Sequence, residues 1–276
     1  PFVLVFLIGT VLTFLLNHFL EFICWKARRK NQGKLPEELQ NIPAAQCFDT
    51  EKFEKIREYE NAKYFSWIPS SIVSLAVTLT LVLSGFYPWI FYKVCTITGF
   101  PAGFGTTFLC ALIFLILTSI PETIISIPFE LYNEFRIEKK FGFSNMTLKL
   151  WFIDKIKGLC ISIIITGILL AAIIAVLVFF PTIWWILITI VMLIFSIVAM
   201  VIYPVIIAPM FNKFTPLEDG ELKERISSLI TNLGFKSSGI FVMDASKRSG
   251  HSNAYFDRFG KTKIIVLFDT LNQLHN

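Results

Sequence analysis

A chain of 276 residues that is 55% hydrophobic and only 16% charged, with a mean hydropathy of +0.67, is too apolar for a water-soluble globule. Its net charge of +5 is modest and no nucleic-acid motif is visible, so no nucleic-acid partner is expected. The five cysteines, Cys24, Cys47, Cys95, Cys110 and Cys160, are widely spaced and form no CxxC; they read as small apolar packing residues, not as a zinc knuckle or a redox pair.

Five stretches reach the roughly 20 apolar residues that a bilayer crossing needs. They are Phe2 to Cys24, Ile68 to Phe91, Phe104 to Ile127, Ile156 to Phe180 and Ile183 to Ile207. The first lacks the basic leader and small-residue cleavage site of a signal peptide. Only Pro181-Thr182 separates the last two, which predicts a tight helical hairpin. Lysine and arginine alternate between the connections: nine in Trp25 to Phe65, only Lys93 in Tyr92 to Gly103, five in Pro128 to Lys155, none at Pro181, and nine in Ala208 to Asn276. The positive-inside rule therefore puts the three basic regions in the cytosol and the N-terminus outside. Trp67, Trp89, Tyr92, Trp151, Trp184 and Trp185 lie near segment ends, as an interfacial aromatic belt would. Glu122, with His18 and Glu21, is an ionisable group at or near membrane depth: either it is functional, or it reaches water or a neighbouring cation. Pro128 to Thr147 mixes aromatic and charged residues like an interfacial amphipathic helix. The sequon Asn145-Met146-Thr147 within it falls on the predicted cytosolic side, which argues against its use.

Past the fifth stretch, Pro204 and Pro209 interrupt the helix. Thr215-Pro216-Leu217-Glu218 has the form of a capping box, predicting a helix to about Leu233 with Gly234 as its stop. Ile240 to Met243 and Lys263 to Phe268 read as strands, and Asn253 to Phe256 as a third. Asp257 to Lys261 supplies a turn, and Asp269-Thr270 an N-cap for a further helix. Between the strands runs the polar stretch SKRSGHSNAYF, Ser246 to Phe256. The fold class expected is an all-α multi-span membrane protein of about five transmembrane helices with a small α+β segment at the C-terminal end. Only His18, His251 and His275 occur, none has a histidine at i+4, and there is no GxSxG. Neither a metal set nor a catalytic set can be assembled from these residues.

FNKFTPLEDGELKERI (Phe211 to Ile226), SKRSGHSNAYF, and IIVLFDTL (Ile264 to Leu271) resemble, in that order, the type I CAAX prenyl endopeptidases, and the Pro128 to Thr147 loop is similar to the corresponding loop of that family. These are multi-spanning zinc metalloproteases that trim prenylated proteins. The resemblance is specific from about Pro204 to Leu271. It implies a zinc metalloendopeptidase, with a prenylated peptide or protein as substrate and the lipid bilayer as its setting. In that family a zinc-binding HExxH helix follows the FDTL segment. This sequence ends at Asn276 before any such motif, so it is expected to be an N-terminal part whose zinc ligands and catalytic Glu lie elsewhere and which has no catalysis alone. The expected organisation is a transmembrane region, 1–207, with cytosolic loops at 25–65 and 128–155, followed by an incomplete cytosolic peptidase domain, 208–276. Its membrane would be the endoplasmic reticulum in a eukaryote or the inner membrane in a bacterium.

The resemblance also implies a substrate-binding role for Asn253 and, less directly, for His251 and Ala254, on an edge strand that aligns an extended peptide. Read from the residues alone, Asn253 can equally be a turn residue bonding its own backbone, and His251 a structural hydrogen-bonding group. Lys247 and Arg248 either meet a substrate carboxylate or sit in a solvated loop. The competing classes are a multi-span transporter or channel, suggested by the spans and Glu122, and a non-catalytic membrane scaffold. Transporters usually carry internal repeats, and none is evident.

Overall fold

The structure is a computed structural model that describes residues 2–31, 50–234, 239–259 and 262–272. Five of its helices are long and apolar enough to cross a membrane. They are α1 (Phe2–Asn31), α2 (Thr50–Leu83), α4 (Phe104–Tyr132), α5 (Leu148–Phe179) and α6 (Trp184–Ile202), with the short α3 (Phe86–Thr98) between the second and third. Along α6 no residue is buried, and Leu193 and Ile197 are 61% and 66% exposed. Leaving such side chains in water costs roughly 25 cal/mol per Å² of apolar surface, so hydrocarbon has to cover them.

The chain divides into two compact units, Pro1–Phe100 with Leu109–Phe141, and Pro101–Phe108 with Gly142–Asn276. In the first unit, α1 and α2 meet through aromatic side chains: the His18 ring lies on Phe14 and Trp67, at 3.9 and 4.4 Å. The ring nitrogens of His18 contact the Phe14 carbonyl at 3.0 Å and the Ser71 hydroxyl at 3.1 Å. Glu122 accepts a hydrogen bond from the Ser74 hydroxyl at 3.2 Å. The last turn of α4 runs into a π-helical stretch, Asn133–Glu138, where Glu138 accepts from the Tyr59 hydroxyl at 2.6 Å and the Asn133 side chain from Ser66 at 2.7 Å. A cavity of about 1050 Å³ opens between α2 and this stretch, walled by Phe65, Pro69, Phe129, Tyr132 and Phe141 with Arg136 at its lining.

In the second unit, α6 passes through a π-helical turn, Tyr203–Ile207, into the single turn α7 (Ala208–Phe211). Pro204 has no N–H to give, and the Ala208 amide reaches back five residues to the Tyr203 carbonyl, the wider turn that accommodates the interruption. A four-stranded sheet follows: β1 (Phe214–Pro216), β2 (Gly239–Met243), β3 (Ala254–Phe259) and β4 (Thr262–Phe268), in the order β1-β2-β4-β3. β2 and β4 are parallel, and the outer strands are antiparallel to their neighbours. Strand alternation splits the apolar side chains between two faces. Met243, Ile264 and Val266 pack with Ala245 on one. Ile240 and Leu267 pack with Leu217 on the other, joined by Ile226 of α8 (Glu221–Asn232). β4 ends in the one-turn α9 (Asp269–Asn272).

Four expectations need correction. The second apolar stretch is not continuous to Phe91: it breaks at Gly85, whose φ of 72° is left-handed, and hydropathy is blind to a break inside an unbroken apolar run. The capping box does not open a helix at Pro216. Phe214, Thr215 and Pro216 pair instead with Met243, Val242 and Phe241, and α8 begins at Glu221 after Gly220. Its stop is as expected, at Gly234 with φ 74°. Asp257 to Phe259, expected in a turn, continue β3. Trp151 is not a belt residue but a buried one, 8% exposed.

Candidate functional site

The polar stretch leaves β2, makes a 3-10 turn at Ala245–Lys247, and enters β3 at Ala254. Its chemistry is decided by how its backbone is fastened. Arg248 is the main anchor. Its Nε and Nη2 donate to the two carboxylate oxygens of Asp154 in α5, at 2.7 and 3.1 Å, and its Nη1 donates to the Asn212 side chain at 3.0 Å. The two charged side chains are only 17% and 15% exposed. A planar guanidinium meeting a carboxylate through two parallel bonds fixes orientation as well as distance. Arg248 therefore neither faces solvent nor waits for a substrate carboxylate; it holds the loop to a membrane helix.

A second fastening comes from the segment before α5. Asn145 donates from its side chain to the Ser246 carbonyl at 2.8 Å and from its amide to the Arg248 carbonyl at 3.0 Å. Gly250 donates to the Phe143 carbonyl at 3.0 Å, and Ser144 and Ser249 form an isolated antiparallel bridge. Contact here is close enough that a Cβ on Gly250 would lie 2.5 Å from the Gly142 carbonyl oxygen. The sequon asparagine is thus part of the frame of the loop.

The third fastening comes from α9. Asp269 accepts from the Ser246 amide at 2.8 Å and from the Ser246 hydroxyl, and the Thr270 hydroxyl donates to the His251 carbonyl at 3.0 Å. The Asp-Thr pair, expected to cap the helix, ties down the stretch on its other side. Asp154 and Asn212 went unnoticed at the sequence level, and Asn145 and Asp269 read only as a sequon and a helix cap, because each gains its role here only when distant segments meet. The one clue available was the Lys247-Arg248 pair in a run of small polar residues, asking for an acid.

Ala254 opens β3, opposite Leu267 of β4, and β3 is an outer strand of the sheet. The Asn253 carbonyl accepts from the Phe268 amide at 2.9 Å. Antiparallel ladders alternate, so the N–H and C=O of Ala254 turn away from β4 toward the sheet edge. The Asn253 side-chain oxygen accepts from that Ala254 amide at 2.8 Å; this is the contact to its own backbone that the residue type allowed, and it uses only the oxygen. Asn253 and His251 are exposed. The His251 ring lies on Phe143, centroids 4.2 Å apart and planes 12° from parallel. Asn253, Ala254 and His251 thus stand together at the head of the edge strand, held by backbone ties on both sides.

Among the described residues no three His, Cys, Asp or Glu side chains gather in a way that could hold a metal ion. The described residues of the polar stretch do not make up a ligand set for the zinc that the resemblance implies. His275 lies outside the described residues.

Five crossing-length helices carrying a small mixed sheet with a tethered edge define a multi-span membrane protein with an appended α/β segment. Comparison with known proteins narrows this. The family described as CAAX prenyl protease N-terminal, five membrane helices, matches residues 25–213, and peptidase family M48 matches residues 216–276. The chain belongs to the CAAX prenyl protease family of M48 peptidases. It is 39% identical over 261 residues to CAAX prenyl protease 1 of Saccharomyces cerevisiae, covering 92% of this chain and 56% of that protein. It is 36% identical over 274 residues to the human CAAX prenyl protease 1 homolog, covering 95% and 55% respectively. The crystal structure of S. mikatae Ste24p superposes with a TM-score of 0.85 at 37% identity, over 98% of this chain and 62% of that one. The chain thus spans about half the length of the curated relatives it matches.

Proposed function

We propose that this protein is a zinc-dependent endopeptidase that cleaves prenylated CAAX-type peptides or proteins at a membrane, and that residues 246–256 grip the peptide. The observation that carries the reading is the tethered edge strand: β3 is an outer strand, its first residue turns its carbonyl outward while its amide is held by the Asn253 side chain, and Asn253 itself is exposed. An extended peptide laid along such an edge gains main-chain hydrogen bonds in a fixed register. That register holds one peptide bond in one place, which is what a cleaving centre requires. The Asn253 side-chain amide, whose oxygen is committed to Ala254, keeps two N–H donors for a substrate carbonyl. His251, flat on Phe143, stands at the head of the edge strand. The residues described here bind and orient; they contribute no metal ligand set.

In this reading residues 208–276 are the front of the peptidase domain and the membrane helices carry it. The alternation of basic connections places that domain in the cytosol by the positive-inside rule, and in a eukaryote the membrane is that of the endoplasmic reticulum. The names of the relatives, CAAX prenyl protease 1 in yeast and its homolog in man, agree with a prenylated substrate.

The test is Asn253→Ala in the full-length membrane protein. Loss of one positioned donor costs about 1.5–3 kcal/mol when its partner is left buried, so kcat/KM for a prenylated peptide falls roughly 10- to 100-fold at ~1.4 kcal/mol per decade. Zinc content and thermal stability stay at the parent values. Cleavage at the parent rate would remove Asn253 from the grip.

A further inference from the structure

The turn between α3 and α4 brings together two cysteines that the proposed peptidase chemistry leaves unused. Cys95 lies in the last turn of α3 and Cys110 in the second turn of α4, and each is 1% exposed. Their Sγ atoms are 3.0 Å apart, about 1 Å beyond the ~2.05 Å of a bonded pair. Ile90, Val94, Ile113 and Leu117 enclose them. Cys24 and Cys160, by contrast, are exposed thiols. Two thiols pressed together in an apolar shell are placed for one reaction above others, provided their compartment is oxidising. The Tyr92 to Gly103 connection carries only Lys93, between neighbours that carry nine and five basic residues. By the charge rule it faces away from the cytosol, the side on which disulfides persist; this part of the argument rests on the orientation proposed above.

We propose that Cys95 and Cys110 are joined by a disulfide bond that pins α3 to α4 on the non-cytosolic face. The Sγ–Sγ bond forms as both S–H bonds break. The two protons and two electrons pass, by thiol–disulfide exchange, to a disulfide of an oxidoreductase or of a small thiol, which leaves as two thiols. The bond closes a loop between residues 15 apart and secures a 13-residue helix that is too short to cross a bilayer alone.

The full-length protein in its own membranes is denatured with N-ethylmaleimide and no reductant, digested, and read by mass spectrometry. The expected result is one cross-linked peptide pair joining Cys95 to Cys110, with Cys24 and Cys160 labelled. Reductant then releases the pair, and in Cys95→Ser the partner Cys110 takes label without reductant. Maleimide on both Cys95 and Cys110 in the unreduced parent overturns the proposal. An epitope inserted at Ala102, probed with antibody before and after the membrane is opened, reports the orientation separately. An outward epitope with free thiols rejects the disulfide and leaves the orientation intact; a cross-link with a cytosolic epitope does the reverse.

Discussion

Arg248 shows what a single side chain contributes to this site. Its guanidinium and the Asp154 carboxylate are both mostly buried, so removing one strands the other in a poorly solvated place, at about 3–5 kcal/mol. Arg248→Met is therefore expected to lower the thermal unfolding temperature of the detergent-solubilised protein by many degrees, and Asp154→Asn by less, since an amide still accepts one of the two bonds. Equal stability of Arg248→Met and the parent would mean that the pair does not fasten the loop. Gly250 contributes through its missing side chain. With a Cβ 2.5 Å from the Gly142 carbonyl, Gly250→Ala forces two backbone segments apart and is expected to cost roughly 1–3 kcal/mol, measurable in the same melt. Gly234→Ala strains a left-handed residue (φ 74°) at the end of α8, outside the polar stretch, and serves as a comparison of backbone strain without loop displacement.

At the scale of elements, local and long-range preferences compete openly. Thr215 and Pro216 suit a helix start, yet sheet pairing with Val242 and Phe241 takes them, and the Thr215 hydroxyl bonds the Val242 carbonyl instead of a helix amide. A cap is worth about 1 kcal/mol; three paired residues plus burial of Leu217 against Ile240 and Leu267 outweigh it. The α9 turn makes the same point. Asp269 bonds Ser246 across 23 residues of sequence, so α9 and the polar stretch behave as one part. Asp269→Ala is expected to loosen residues 246–251, seen as faster amide hydrogen exchange there with β4 still protected. Unchanged exchange in that segment would separate α9 from the loop.

At the scale of the whole molecule, the spans and the distribution of charge set the orientation to be tested. Reporter fusions near Lys213 are expected to read cytosolic and those in the 99–103 connection non-cytosolic; the opposite pattern would invert the orientation and put the proposed peptide grip on the wrong side for cytosolic substrates. The transporter reading has lost ground for a concrete reason: the family matches run through residues 25–213 and 216–276, covering membrane helices and sheet alike. Hydropathy located five spans because twenty apolar residues in a row have few other uses. It misjudged the end of the second, because Gly85 breaks the helix without changing the polarity of the run.

The amino-acid order alone determined the membrane class, three of the four strands of the small sheet and the family resemblance, all of which depend on local composition or short motifs. Asn253, Ala254 and His251 were nameable as candidates for the same reason. Tertiary structure alone decided that β3 lies at the sheet edge, that Arg248 faces Asp154 from 94 residues away, and that Cys95 meets Cys110. Each of those facts is a meeting between segments, and only the folded chain states which segments meet.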